Sequence, residues 1–145
     1  MDAGLLQHSF EMITNRAPDV ARRFYQLLFT RFPQVAPLFR RGNSTHQEAM
    51  LTQALVALMD HLEDSAWLTT VLPELGAKHV GYGVTSEMYG WVGECLLATF
   101  GEICGDSWSA DLAAEWASAY AAVAGLMQSS PRPTEQSRTE EQLQV

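Results

Sequence analysis

Apolar residues recur along most of this chain at intervals of three and four, the spacing that lines one face of an α-helix. Leu6, Phe10 and Ile13 form the first such face, in a helix predicted over about residues 3 to 16. Pro18 is expected to open a second helix as its first residue, where the missing N–H costs nothing. Val20, Phe24, Leu27 and Leu28 turn inward as far as about Phe32. Pro33 and Pro37 then permit only a short helical turn ending near Phe39. Arg40 to Ser44, with Gly42, reads as a tight polar corner.

A longer helix is predicted from about Thr45 to Leu62, with Leu51, Leu55, Leu58 and Leu62 in one stripe and Gln47 at its amino-terminal end. The next, about 65 to 80, aligns Leu72, Leu75 and His79. Gly81 and Gly83 punctuate the chain after it. Thr85 or Ser86 can cap a helix to about Ile103, and Ser109 can cap a last one to about Met127. No stretch alternates convincingly between apolar and polar residues, so no half-buried strand is expected. The pattern predicts an all-α domain over residues 1–128 with six or more helices. Without the heptads of a simple bundle seam, those helices are expected to cross. Residues 129–145, a polar run containing Pro131 and Pro133, cannot supply a core and are expected to form a disordered tail.

Composition narrows the possibilities. A chain of 145 residues that is 47% hydrophobic can bury a core without disulfides or structural metal. Cys95 and Cys104 stand nine residues apart on one predicted helix. A rise of about 13 Å between them is too long for a bridge, so reduced thiols are expected. That suits the cytoplasm, as does the lack of a cationic amino-terminal stretch followed by an apolar run. No segment approaches the roughly 20 apolar residues that span a bilayer. The net charge of −8 disfavours nucleic acid and anionic membrane surfaces as partners.

Chemistry has few places to reside. His8, His46, His61 and His79 show no close grouping with Cys, Asp or Glu of the kind zinc needs, and no Glu-x-x-His suggests a di-iron bundle. No Gly-rich phosphate loop or Gly-x-Ser-x-Gly occurs. His79 alone lies on an apolar stripe and points where leucines point. Such a histidine is ordinarily a satisfied core residue. The other reading is an iron ligand, because haem iron needs a neutral imidazole in an apolar slot, oriented through its second nitrogen. Tyr89, ten residues further on, is a candidate to supply or tune that orienting bond.

Two runs carry a family resemblance. FYQLLFTRFPQVAPLF, residues 24–39, resembles the second helix and following corner of globins. LGAKHVGYGVTSEMYGWVGECLLATF, residues 75–100, resembles the proximal half of bacterial flavohaemoglobins and their single-domain relatives. The likeness extends over about residues 5 to 127, and its specificity lies in the fixed order of Phe-Tyr, Pro33 with Phe39, Gln-x-x-x-Leu, and His79 with Tyr89.

The resemblance implies a globin fold of crossed helices (A, B, C, E, F, G and H) around a pocket for haem b, iron protoporphyrin IX. It implies that His79 is the iron ligand and that Tyr25 and Gln47 face the bound gas. Phe24, Phe39, Leu51, Leu75, Val84, Tyr89 and Val92 would contact the cofactor. Bland alternatives stand beside these roles: Phe39 and Tyr89 as ordinary packing, Tyr25 as merely half-buried, Gln47 as a solvated first-turn residue. A rival register puts His46 in the place of Gln47, on a stripe of Met50, Ala54, Ala57 and His61.

The chain departs from the family pattern in one respect. The late glutamate that joins the proximal histidine and tyrosine in flavohaemoglobins falls at Pro131, with Glu135 nearby in the polar tail. A weaker anionic push on His79 is then expected, leaving iron easier to keep ferrous. The 145 residues also contain no reductase domain, flavin site or nicotinamide fingerprint, so repeated redox turnover would draw electrons from another protein. The implied function is reversible, high-affinity binding of O2, NO and CO, with NO dioxygenation when an external reductase is supplied. Competing readings are a haem-based gas or redox sensor and a haem-free interaction domain.

Overall fold

The computed structural model describes residues 1–39 and 44–129. Most of the expected corner (40–43) and nearly all of the expected tail (130–145) lie outside the described residues. Among these residues six α-helices succeed one another: α1 (Ala3–Arg16), α2 (Val20–Arg31), α3 (Ser44–Asp60), α4 (Ser65–Gly81), α5 (Ser86–Cys104) and α6 (Ala110–Gln128). Short 3-10 helices occupy Pro33–Phe39 and Gly105–Ser107, and no strand occurs among the described residues.

Side-chain caps close three of the helix starts among the described residues. The Asp2 carboxylate accepts from the Leu5 amide at 3.0 Å, Asp64 from Trp67 at 3.1 Å, and the Ser109 hydroxyl from Leu112 at 3.1 Å. Thr85 takes the cap position of α5 without a side-chain bond. Pro18 differs from expectation. It sits in the turn ahead of α2, closed by the Val20 amide donating to the Ala17 carbonyl at 3.0 Å, and its fixed φ suits that turn. Asp19 at the cap position is engaged by Arg23 at 3.2 Å instead of capping. Just before this turn, Arg16 donates to the Cys104 carbonyl at 2.9 Å, tying α1 to the end of α5.

The faces read from the sequence meet in one core. Leu6, Phe10 and Ile13 of α1, Phe24 and Leu28 of α2, and Leu55 and Met59 of α3 are buried with Cys95, Leu96 and Phe100 of α5 and Trp116 of α6. Phe100 sets its ring edge-on to Trp116, with centroids 4.8 Å apart, and to Phe10 at 6.2 Å. The Trp116 indole donates to the Ser9 hydroxyl at 2.9 Å, so this buried polar pair is satisfied. Cys95 and Cys104 are both buried free thiols of α5.

The packing of the helices creates the setting for a site. α2 packs on α5, α5 on α6, and α3 rests on α2 and α1. α4 packs on α6. Although consecutive, α3 and α4 have no extensive interface with each other. Each nonetheless carries half-buried apolar side chains, Leu51 and Leu58 on α3 and Leu75 on α4. These apolar side chains are therefore not covered by extensive packing of α3 on α4.

Candidate functional site

His79 lies in the last full turn of α4, half-buried, with Nδ1 2.8 Å from the Leu75 carbonyl oxygen. A carbonyl can only accept, so Nδ1 carries the proton and donates. In the neutral ring Nε2 then holds a free lone pair, the form a metal takes up. The backbone is clamped just beyond. Tyr82 and Val84 amides donate to the His79 carbonyl at 3.1 and 3.0 Å, a closure that Gly83 permits with φ of +95°.

The orienting bond for which Tyr89 was a candidate runs instead to the Leu75 carbonyl, one turn back in the same helix. Tyr89 is half-buried on α5, and burial raises its phenol above the ordinary value. Its backbone carbonyl accepts from the Tyr120 hydroxyl at 2.6 Å. Burial, and then the neighbouring Tyr89, hold the Tyr120 phenol well above the usual range. The sequence offered no sign of this contact, since no helical spacing links residues 31 apart. Val84, in the link before α5, and Val92, within α5, are half-buried.

A second cluster joins α2, α3 and the Pro33–Phe39 turn. The Gln47 side-chain amide donates to the Tyr25 hydroxyl at 3.2 Å. The Tyr25 ring meets Phe24 edge-on at 5.0 Å and Phe39 at 5.5 Å, and stacks on Phe29 at 5.8 Å. Phe29 stands four residues after Tyr25 and so on the same helix face, a spacing that could have placed it in this cluster. Phe24 is a full member of the core at 2% exposure, and Phe39 is half-buried. On α3, Gln47 and Leu51 are half-buried, whereas His46 and Met50 of the rival stripe are exposed. His61 of that stripe stacks on Trp67, with ring centroids 4.1 Å apart.

Electrostatics keeps Tyr25 protonated. Burial raises its pKa, the Gln47 hydrogen bond opposes that rise, and the Glu48 charge adds to it. The neutral phenol therefore persists through neutral and moderately alkaline solution. Burial also raises Tyr89, Tyr120, Cys95 and Cys104. All five groups hold their protons more tightly folded than unfolded. The stability they contribute is complete below the unfolded values of 9.0 for thiols and 10.0 for phenols, and is lost as pH climbs from there through the folded values. Thermal unfolding followed by circular dichroism should thus show a lower midpoint at about pH 10.5 than at about pH 8. An equal or higher midpoint would contradict these environments.

The donor set fits haem: one imidazole with a free Nε2, two polar hydrogen-bonding side chains on other helices, and half-buried apolar and aromatic residues otherwise. Among the described residues no group of three or more His, Cys, Asp or Glu converges on a point. No helix among them is long and apolar enough to cross a membrane.

Comparison with known proteins supplies the family. A globin family model matches residues 22–127. The chain is 30% identical over 125 residues to a flavohemoprotein of Bordetella pertussis, an alignment covering 85% of this chain and 31% of that protein. It thus spans about a third of the length of the curated relatives it matches. Among solved structures, a bacterial globin from Campylobacter jejuni superposes with a TM-score of 0.72 at 21% identity, covering 86% of this chain and 90% of that one. An engineered carbene transferase, described as a putative nitric oxide dioxygenase from Rhodothermus marinus, gives a TM-score of 0.74 at 24% identity, over 98% of this chain and 92% of that one. Crossed helices, the matched family model and these relatives agree: the chain belongs to the globin family.

Proposed function

We propose that this chain binds haem b through His79 and takes up O2, and also NO and CO, reversibly, holding O2 tightly through Tyr25 and Gln47. Globin membership implies the haem. The observation that carries the assignment of the ligand is the bond from His79 Nδ1 to the Leu75 carbonyl, which in the neutral ring leaves the Nε2 lone pair available, on a helix that has no extensive interface with α3. When bound, haem iron supplies a coordination position for a diatomic gas, and reaction of O2 with NO there yields nitrate at the expense of one electron from the iron.

The protein's own residues set how the gas is held. Because Gln47 donates to the Tyr25 oxygen, the hydroxyl proton of Tyr25 stays free to point at a ligand. The second N–H of the Gln47 amide is a further donor. A hydrogen bond to a charged or strongly polarised acceptor contributes about 1.5–3 kcal/mol. Each 1.4 kcal/mol is roughly tenfold in equilibrium, so two such donors slow O2 escape by orders of magnitude. CO gathers less charge and gains less. On the other side, His79 is oriented by a neutral carbonyl, which pushes less electron density toward iron than a carboxylate would. That favours a ferrous, gas-binding iron over peroxidase-like reactivity.

Supplied with electrons by a separate reductase, the same pocket would sustain NO dioxygenation. Its relatives are flavohemoproteins, of which this chain spans only the globin portion, and a flavin-bearing partner is the reductase class that fits. An absorption spectrum of the purified protein, first reduced and then exposed to air, tests the proposal. A Soret band should appear and shift to a long-lived O2 complex in air. Protein expressed with ample haem that shows no Soret band would overturn it.

A further inference from the structure

The helix that bears His79 has one extensive packing partner among the described elements, α6. Where the two cross, Gly76 lies against the backbone of Met127. A Cβ added at Gly76 would come within 2.8 Å of the Met127 Cα and overlap its carbonyl, so only glycine permits this approach. Gly76 is buried, one turn before His79.

The contact bears on the histidine directly. The carbonyl that receives the His79 Nδ1 proton belongs to Leu75, and it is part of the peptide unit that joins Leu75 to Gly76. That unit is planar and rigid. Its glycine end rests on Met127, and its oxygen holds the imidazole. α6 is in turn secured to α5 over the same stretch. The Tyr120 hydroxyl donates to the Tyr89 carbonyl at 2.6 Å, and the Ser86 hydroxyl to the Gln128 side chain at 2.6 Å.

Resting on the assignment of His79 as iron ligand, we infer that Gly76 is a positioning residue for haem ligation. The Gly76–Met127 backbone contact sets the height of the Leu75–Gly76 peptide, and this peptide orients the imidazole. Lifting the peptide off α6 tilts or withdraws Nε2.

The test compares Gly76→Ala with Gly125→Ala, an exposed α6 glycine whose added Cβ would meet nothing within 4 Å. Each change is made in the natural chain and in His79→Gly supplied with free imidazole, a ligand not tethered to α4. Two quantities are read: the rate of haem loss to an excess of a haem-scavenging apoprotein, and the iron–histidine stretching band of the reduced, gas-free protein. In the natural chain Gly76→Ala should raise haem loss roughly tenfold to a hundredfold, the usual effect of disturbing a residue that orients a metal ligand. It should also move the stretching band, while Gly125→Ala does neither. With imidazole in place of His79, Gly76→Ala should change haem loss by less than about twofold. An equal increase in both backgrounds would make Gly76 a purely structural residue and overturn the inference, as would no change in the natural chain. If Gly76→Ala fails to fold, Tyr120→Phe removes the hydrogen bond that secures α6 on α5 and so frees the α6 backbone to shift against Gly76. It should shift the band in the natural chain alone, and an unmoved band would again overturn the inference. Normal haem retention by His79→Gly without imidazole would instead refute the ligand assignment itself.

Discussion

Replacing His79 with alanine is expected to remove the normal Soret band from the purified protein while leaving its helix content intact. The iron would lose its protein ligand, and haem would be held by apolar contact alone. The fold should tolerate the change, because the side chain is only half-buried and its hydrogen bond runs within its own helix, to Leu75. Losing such a local bond costs about 0.5–1.5 kcal/mol, small beside the roughly 5–15 kcal/mol of an ordinary domain. Absorption and far-ultraviolet circular dichroism on the same sample separate the two effects. An unaltered Soret band would refute the assignment on which the proposed function rests.

Tyr25→Phe should have the next largest effect, raising the O2 dissociation rate at least about tenfold. The substitution keeps the ring and with it the contacts to Phe24, Phe29 and Phe39, so packing changes little. What disappears is the hydroxyl that accepts from Gln47 and has its own proton to give. CO dissociation, measured in parallel, should change far less, since CO draws less on a hydrogen-bond donor. That contrast distinguishes lost polar stabilisation from a pocket that has simply loosened, which would speed both gases. An unchanged O2 rate would place Tyr25 outside the ligand's reach.

Much of the helical frame was legible in the residues themselves. The faces of α1 and α2, the stripe through Leu51, Leu55 and Leu58, and the Ser109 cap all arise from spacing and side-chain chemistry within a few residues. The structure reproduces them because these interactions are local. The one misplaced start, at Pro18, was also a local matter: a proline suited to a first helical turn is equally suited to the turn before it. The register of α3 was harder to read. Both Gln47 and His46 sit on plausible stripes, and only the position of α2 shows Gln47 bonded to Tyr25 while Met50 stands 50% exposed.

Sequence alone determined that the domain is of the all-α class, which faces of its helices are apolar, and that His79 shares such a face. Helix periodicity and capping are written in neighbours three or four positions apart. The tertiary structure decided what those faces meet. It brought Met127 onto Gly76, Tyr120 onto Tyr89, and Gln47 onto Tyr25, and it kept α3 and α4 from packing extensively on one another. Those contacts depend on where whole helices cross, and no spacing along a single helix encodes a crossing.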